Sequence, residues 1–468
     1  MLYYLLALST EWKCPRIDED IPMKSGSKKK TVSIVRYEKP LDSVRKAVDL
    51  SQGLDHLPSN ASVFIKPNIV FWSRFGPFPA YGVITTSRVI EDMVVILKER
   101  GIEKICIGEG IVLFDPRDRE TPAHAFETLG YNTMKKKYGI NVVNLFERPY
   151  EKVEFRDGTT LNFSTDFLKA DFVVNIPVLK THAQTIVTLG IKNLKGTIDI
   201  NSRKKCHSAD SEKDLHYMIA RFQEILPTGF TLIDGIYTNE RGPGIDGKIR
   251  RENLLIGSQD VLSADKVGAR VLGYDPAEIH YLAQTAHNAG RPIDLSDTNV
   301  VGEKIEAVAS KHHHSFPYTP DESKALPIPM KRMGIQGLSF RKYDLSMCTY
   351  CSLLNGMILT AIAQSWKGEP WDDVEVLTGK IMTPTPGKKK TILLGKCMYQ
   401  ANKNNPDIKE MFAVKGCPPS TTQIVETFQN AGIPINPDIF MAKEQFPASF
   451  IKKYEGKPDF DMGLFRVK

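Results

Sequence analysis

The chain predicts an α/β fold: a mostly parallel sheet with helices on both faces, followed by a smaller C-terminal α/β domain built around cysteines. Three observations predict it. Apolar β-like runs alternate with amphipathic stretches of roughly 10–15 residues, which is the rhythm of βαβ units. That rhythm breaks near residue 310, in a stretch rich in proline, histidine and charge. Beyond the break stand four of the seven cysteines, at positions 348, 351, 397 and 417. The 468 residues, 41% hydrophobic and 25% charged, have a globular composition. It suits two or three domains and excludes a disordered, collagenous or coiled-coil chain.

The elements follow in order. SGSKKK at 25–30 reads as a loop and TVSIVRY as an alternating strand, with a helix through LDSVRKAVDLS. ASVFIKPNIV (61–70) is a buried strand ending in Lys-Pro-Asn. TTSRVIEDMVVILKERG is an N-capped amphipathic helix with a glycine stop. KICIGEG, ADFVVNIPVLKTH (170–182) and FTLIDGIYTNERGPG (230–244) are further strands, and SADKVGARVLGYDPAEIHYLAQTAHNAG is helical. KHHHSFPYTPDESKALPIPMKR reads as a linker, with His312, His313 and His314 as an exposed polar tract. After it, SLLNGMILTAIAQSW is a helix, and VEVLTG, KTILLGKC and MFAVKGC are three short strands. STTQIVETFQNAGI is a helix capped by Ser420. The domain reading is an N-terminal extension at 1–30, a large domain at 31–310, a linker at 311–340 and a small domain at 341–468.

The N-terminal MLYYLLALST has an apolar run of about nine residues, no basic flank and no cleavage site after it. It reads as neither signal peptide nor membrane span, and the chain is expected to be cytoplasmic. Cys14, Cys106 and Cys206 have no obvious partners, and uneven cysteines in a long chain suit a reducing compartment.

Ligands of open α/β sheets bind outside the carboxyl ends of the strands. Three such ends are unusually polar: Lys66 with Asn68, Lys180 with His182, and Asp234 followed by the glycine loop of Gly242 and Gly244. Between the last two, TLGIKNLKGTID adds Lys192, Asn193 and Lys195. Lysines with backbone amides suit an anionic small molecule or cofactor. His182 is the candidate general base and Lys192 the candidate anion holder or nucleophile. Each residue alone has an ordinary explanation as a solvated side chain or a turn; the grouping points to a site. No P-loop, dinucleotide fingerprint, nucleophile elbow or zincin motif is present. No aromatic-interleaved basic stripe argues for nucleic acid.

Cys348 and Cys351 form a C-x2-C pair before a helix, and Cys397 and Cys417 each follow an apolar strand. The ends of parallel neighbours lie side by side, so all four thiols can converge on one metal centre, Cys348, Cys351, Cys397 and Cys417. Structural zinc sites use two short knuckles, whereas the second pair here is 20 positions apart. The spacing favours one 4Fe-4S cluster, with zinc as the second candidate. Free cysteine also packs as a small hydrophobe, which suffices for Cys106.

The net charge is +7, and residues 311–468 carry 21 Lys+Arg against 15 Asp+Glu. The basic part is thus the part with the candidate thiolates. Lys396 and Lys415 would offset the negative charge of a cluster, and the same charge would dock an acidic electron-transfer partner.

VFIKPNIV, ADFVVNIPVLKTHAQTIVTLGIKNLKG, LIDGI with GPG, and SADKVGARVLGYDP resemble the family catalogued as domain of unknown function 362, over about residues 31–310. Members often carry an iron–sulfur module, so the resemblance implies a cluster on the four cysteines. The chain departs from the commonest form in having no C-x2-C-x2-C-x3-C-P run. Pro177, His182, Gly190 and Lys192 are also similar to a segment of the nickel-pincer lactate racemases, which lack this cysteine module. That likeness would match Lys192 to the cofactor-tethering lysine and His182 to a base. The preferred expectation is an iron–sulfur redox protein of anaerobic-type metabolism. A racemase-like non-redox enzyme and a non-catalytic electron carrier are the alternatives. Self-association into a homo-oligomer is also open.

Overall fold

The computed structural model describes residues 28–115, 117–321 and 323–467. The readings on the N-terminal extension and Cys14 therefore fall largely or wholly outside the described residues. Sixteen strands are described. They are β1 (Lys30–Arg36), β2 (Ser62–Lys66), β3 (Lys104–Glu109), β4 (Asn141–Asn144), β5 (Tyr150–Glu154), β6 (Thr160–Ser164), β7 (Phe172–Asn175) and β8 (Val178–His182). They continue with β9 (Ile186–Thr188), β10 (Gly229–Glu240), β11 (Lys248–Ser258), β12 (Thr298–Gly302), β13 (Leu338–Phe340), β14 (Val374–Leu377), β15 (Lys390–Leu394) and β16 (Glu410–Val414).

The large sheet runs β12-β1-β11-β10-β7-β2-β3-β4, with β8 and β9 attached beside β10. Its pairs are mostly parallel; β1–β11, β10–β11 and β8–β9 are antiparallel. Both faces are buried, as expected of a sheet whose strands read as continuous apolar runs. Val63 and Ile65 of β2 enter one core with the Ser87–Glu99 helix, while Phe64 enters the opposite core with the Val261–Val271 helix. The α/β architecture predicted from the alternation is therefore present.

The long strand β10 changes one reading. The chain does not end its strand at Asp234 but continues to Glu240 and returns antiparallel as β11, whose KIRRENLLIGS run was not read as a strand. Asp234 thus lies mid-strand and is fully buried. Its carboxylate accepts from the Thr86 amide at 2.7 Å and the Ile236 amide at 3.0 Å. It caps the Ser87–Glu99 helix, where Thr86 provides no side-chain cap of its own.

The smaller sheet is all parallel, in the order β13-β14-β15-β16. Its core includes Leu354, Met357, Ile358, Ala361 and Ile362 of the Thr349–Ser365 helix, and Ser420 caps the Thr421–Asn430 helix as expected. The fourth strand, β13, comes from the stretch read as linker. Three residues, LSF, are too few to show a period. The same stretch is exposed only in part: His313 is exposed, whereas His312 is 1% exposed and shares a 2.8 Å hydrogen bond with the Thr238 hydroxyl. The His313 carbonyl accepts from the Arg241 amide at 2.7 Å. These bonds fasten the stretch to the end of β10.

The C-terminal residues also return to the large domain. The Tyr81 ring packs edge-on against Phe460 and Phe465, and the Tyr81 hydroxyl donates to the Phe460 carbonyl at 3.1 Å. Phe446 packs against both the large-domain and the small-domain core.

Candidate functional site

A cavity of about 580 Å³ lies where the carboxyl ends of β2, β3 and β8 face the small domain. Lys66, Asn68, Lys180, His182, Lys192, Asn193, Lys195, Gly242 and Gly244 all line it. Of the predicted large-domain residues, Asp234 does not. The topology brings together three strand ends and the turn after β9.

One directed chain of hydrogen bonds organises the floor. Lys180 Nζ donates to Asn68 Oδ1 at 2.6 Å, and Asn68 Nδ2 donates to Asn193 Oδ1 at 3.0 Å. Asn193 Nδ2 donates to Asn175 Oδ1 at 2.8 Å, and Asn175 Nδ2 to the Gly190 carbonyl at 2.9 Å. Each amide accepts on one side and donates on the other, an arrangement in which successive bonds polarise one another. It ties Lys180 on β8 to the Gly190–Asn193 helical turn that carries Lys192.

The turn has a second anchor. Asp265, fully buried, accepts from the Gly190 amide at 2.6 Å and the Ile191 amide at 2.9 Å. A Cβ at position 190 would stand 2.8 Å from Asp265 Oδ1, so only glycine lets the carboxylate approach. Burial raises the Asp265 carboxyl to about 8, against the two amides that favour its charge. The folded carboxyl then holds its proton where the unfolded one does not, so its contribution to stability falls as pH rises from about 4 through 8. Asp265→Ala leaves two buried amides without an acceptor, and a loss of about 2–4 kcal/mol in chemical denaturation is expected. Asp265→Asn, which keeps one acceptor, loses less and no longer shows that fall with pH.

The cations differ in their partners. Lys66 is 0% exposed and pairs with Glu109 at 2.7 Å; Glu109 also accepts from the Ile69 and Gly110 amides, each at 2.8 Å. A Cβ at Gly196 would stand 2.6 Å from Lys66 Nζ, so glycine admits the close approach of this turn. Among the described residues Lys180 has no carboxylate partner; it donates to Asn68 and to the Val83 carbonyl at 2.7 Å. Burial lowers it to about 7, against the raising effect of Glu109. Among the described residues Lys192 finds no hydrogen-bond or ion-pair partner, and burial with Lys195 and Lys180 nearby lowers it well below the ordinary lysine value. Lys195 Nζ stands 2.6 Å from His207 Nε2, while His207 Nδ1 donates to the Leu345 carbonyl at 2.9 Å. That assignment leaves Nε2 to accept from Lys195, which burial lowers to about 8. Arg203 donates to the Ile198, Gly110 and Gly196 carbonyls and stacks 4.7 Å over Phe146.

His182 Nδ1 accepts from the Gln184 amide at 3.1 Å, so its neutral ring carries the proton on Nε2. Burial and the surrounding lysines hold it well below the usual histidine value. Gln184 in turn donates to the Asp344 and Met347 carbonyls at 2.9 and 3.0 Å, which fixes the approach to Cys348.

Glu109, Asn175, Arg203, His207 and Asp265 were missed in the sequence. Glu109 ends β3 as Lys66 ends β2, so the pairing rule that exposed Lys66 would have found it. Arg203 lies in the short Ile200–Lys205 helix and His207 just after it, and the packing of both is set by tertiary contacts. The apolar roof was missed as well, because it comes from the small domain: Leu353, Met357 and Leu359 of the Thr349–Ser365 helix, with Phe446 and Phe450.

The four cysteines meet at a second, small pocket. Cys348, Cys351, Cys397 and Cys417 line it together with Ser346, Tyr350, Lys380 and Lys396. Cys348 is buried, Cys351 partly so, and Cys397 and Cys417 are exposed, so the pocket reaches the surface. All four are free thiols. Cys397 follows β15 and Cys417 follows β16, the adjacent strand ends expected of them. Among the described residues, no three His, Cys, Asp or Glu side chains form a closed metal-ligand group. The thiols border one space without closing on one point. Gly395, at φ +93°, carries the chain past Cys351 Sγ. A hydrogen bond from Cys351 lowers the Cys348 thiol below its ordinary value. Lys380 rather than Lys415 completes the basic border. Lys415 Nζ lies 4.8 Å over the Tyr399 ring, whereas Lys380 lines the pocket and donates to the carbonyls of Lys204 and His207. Cys106 and Cys206 stand apart, raised by burial to about 12 and about 11.

Among the described residues, no helix is long and apolar enough to cross a membrane. In comparisons with known proteins, a thylakoid-associated protein of Synechocystis sp. is 28% identical over 233 residues, 47% of this chain and 66% of that protein. The chain thus spans just under two thirds of that relative's length. The lactate racemase apoprotein from Thermoanaerobacterium thermosaccharolyticum aligns at 17% identity and a TM-score of 0.32, covering 53% of this chain and 58% of that one. Residues 63–270, which hold every strand end of the cavity floor, match the family model described as Domain of unknown function (DUF362).

Proposed function

We propose that the chain is an iron–sulfur redox protein in which Cys348, Cys351, Cys397 and Cys417 hold one four-iron cluster beside a binding site for an anion. The observation that carries this reading is the shared wall. Residues 346–353 turn Ser346, Cys348, Tyr350 and Cys351 to the cysteine pocket, and Met347, Thr349, Ser352 and Leu353 to the cavity. Four thiols from three segments fit a cluster's donor set. A bound cluster supplies single electrons.

The chain's own residues do the rest. Lys380 and Lys396 offset thiolate charge at the pocket border. Lys180, Lys192 and Lys195 hold the anion, and His182, neutral with its proton on Nε2, is placed to give or take a proton. Gln184 and His207 tie that floor to the 344–347 segment, so the two sites keep a fixed relation.

The cationic form of Lys180 binds an anion, and its pKa is lowered to about 7. Facing it are Lys66 with Glu109, and Lys192 beyond; Glu109 favours its charge and the lysines oppose it. Anion affinity is therefore expected to fall as pH rises above 7, by up to about tenfold per pH unit for this one proton. Binding at pH 8 takes up protons, visible as buffer-dependent heats in calorimetry. The reading itself is tested by replacing the cysteines, as set out below.

A further inference from the structure

We propose that the anion bound in the cavity is amphipathic: a carboxylate or phosphate head on the lysine floor and an apolar aryl or alkyl body against the roof. This rests on the reading of the strand ends as an anion site and names the class of its ligand.

The two walls of the cavity differ in kind. The floor carries Lys66, Lys180, Lys192, Lys195 and Arg203, and the lining carboxylates are Glu109, which is committed to Lys66, and Asp246. Among the described residues, Lys180 and Lys192 are left without a carboxylate partner. Buried cations in that position are stabilised by an incoming anion, and desolvation strengthens the attraction.

The facing roof carries one cation, Lys443 of the C-terminal segment, and is otherwise lined mainly by apolar side chains. Leu353, Met357, Leu359, Phe446 and Phe450 come from the cysteine-bearing helix and the C-terminal segment. Leu353, Leu359, Phe446 and Phe450 are only partly buried although they pack against the cores, so they present apolar surface to the cavity. Met333, 50% exposed, continues that surface to the rim. A volume of about 580 Å³ lies in the range that encloses a drug-sized molecule and exceeds what a bare inorganic anion fills. A head alone would leave the roof wet. A head with an apolar body removes that surface from water.

The test is a homologous series of straight-chain carboxylates, acetate to octanoate, titrated into anaerobically purified full-length protein by calorimetry at low salt and pH 6.5. Affinity is expected to rise about threefold to fourfold per added methylene, the value for burying one such group. Lys192→Met should weaken every member by about tenfold. Leu359→Asp should flatten the slope and spare acetate. A flat series in the wild-type protein overturns the proposal, whether or not the variants fold. A steep series that Lys192→Met leaves unchanged overturns it as well, since the binding would then lie elsewhere. Iron measured in the same preparation separates the two readings. A flat series in iron-loaded protein removes the amphipathic ligand alone, and a steep series in iron-free protein removes the cluster alone.

Discussion

Glu109→Ala destabilises the protein by about 3–5 kcal/mol, because it leaves the Lys66 ammonium buried and unpaired. Lys66 is 0% exposed, and its remaining partner is the Pro67 carbonyl at 2.6 Å. Burial already lowers its pKa, and Glu109 is the chief group opposing that shift. Without the carboxylate the shift deepens. The unfolded chain then binds a proton that the folded chain does not, between the lowered value and the ordinary 10.5. Stability rises with pH wherever the unfolded state binds more protons, so the variant regains stability as pH is raised toward 10. Urea denaturation of the variant at pH 7 and pH 9.5 checks both the loss and its partial recovery. An unchanged midpoint at both pH values would show that the pair is not the keystone of the floor. Lys66→Met in the same background should recover part of the loss, since it removes the buried charge outright.

The second large effect falls on the cysteines. Cys351→Ala and Cys397→Ala should each abolish the cluster, reducing bound iron from about four per chain to near zero. The two positions test different parts of the pocket. Cys351 lies in the first turn of the Thr349–Ser365 helix, partly buried beside Cys348, while Cys397 is exposed in the first turn of the Lys396–Asn402 helix that follows β15. An exposed residue contributes little to a core, so loss of iron in Cys397→Ala with unchanged thermal unfolding of the metal-free chain isolates ligation from packing. Cys106→Ala is the control: Cys106 lies within β3 away from the pocket and should leave iron content unchanged. Iron lost equally in the control would point to general instability.

Much of the architecture was legible because parallel strands buried on both faces must be apolar throughout, as in VFI of β2 and FVV of β7. The strand-end lysines stood out against those runs. Their pairing did not, because Lys66 and Glu109 are 43 positions apart and Lys180 and Asn68 are 112 apart. Asp234 was misplaced for a related reason. Gly235 looks like a strand end, but β10 bulges between Gly235 and Tyr237 and runs on to Glu240. The histidine run misled through composition: polar residues were read as exposed, whereas His312 finds its partner in Thr238, on a strand 74 residues earlier. That the four cysteines border one pocket was legible from C-x2-C and two cysteines after strands, because neighbouring parallel strands end at the same edge. The apolar roof could not be read, since it joins side chains of the Thr349–Ser365 helix to Phe446 and Phe450 of the distant C-terminal segment.

The central claim is that four thiols hold a cluster beside an anion site. Anaerobic purification of the wild-type chain, with iron and acid-labile sulfide quantified and the electron paramagnetic resonance spectrum recorded after reduction, tests it most directly. The account predicts about four iron and four sulfide per chain and a spectrum of a reduced cluster. A colourless protein with one zinc per chain and no sulfide would contradict it.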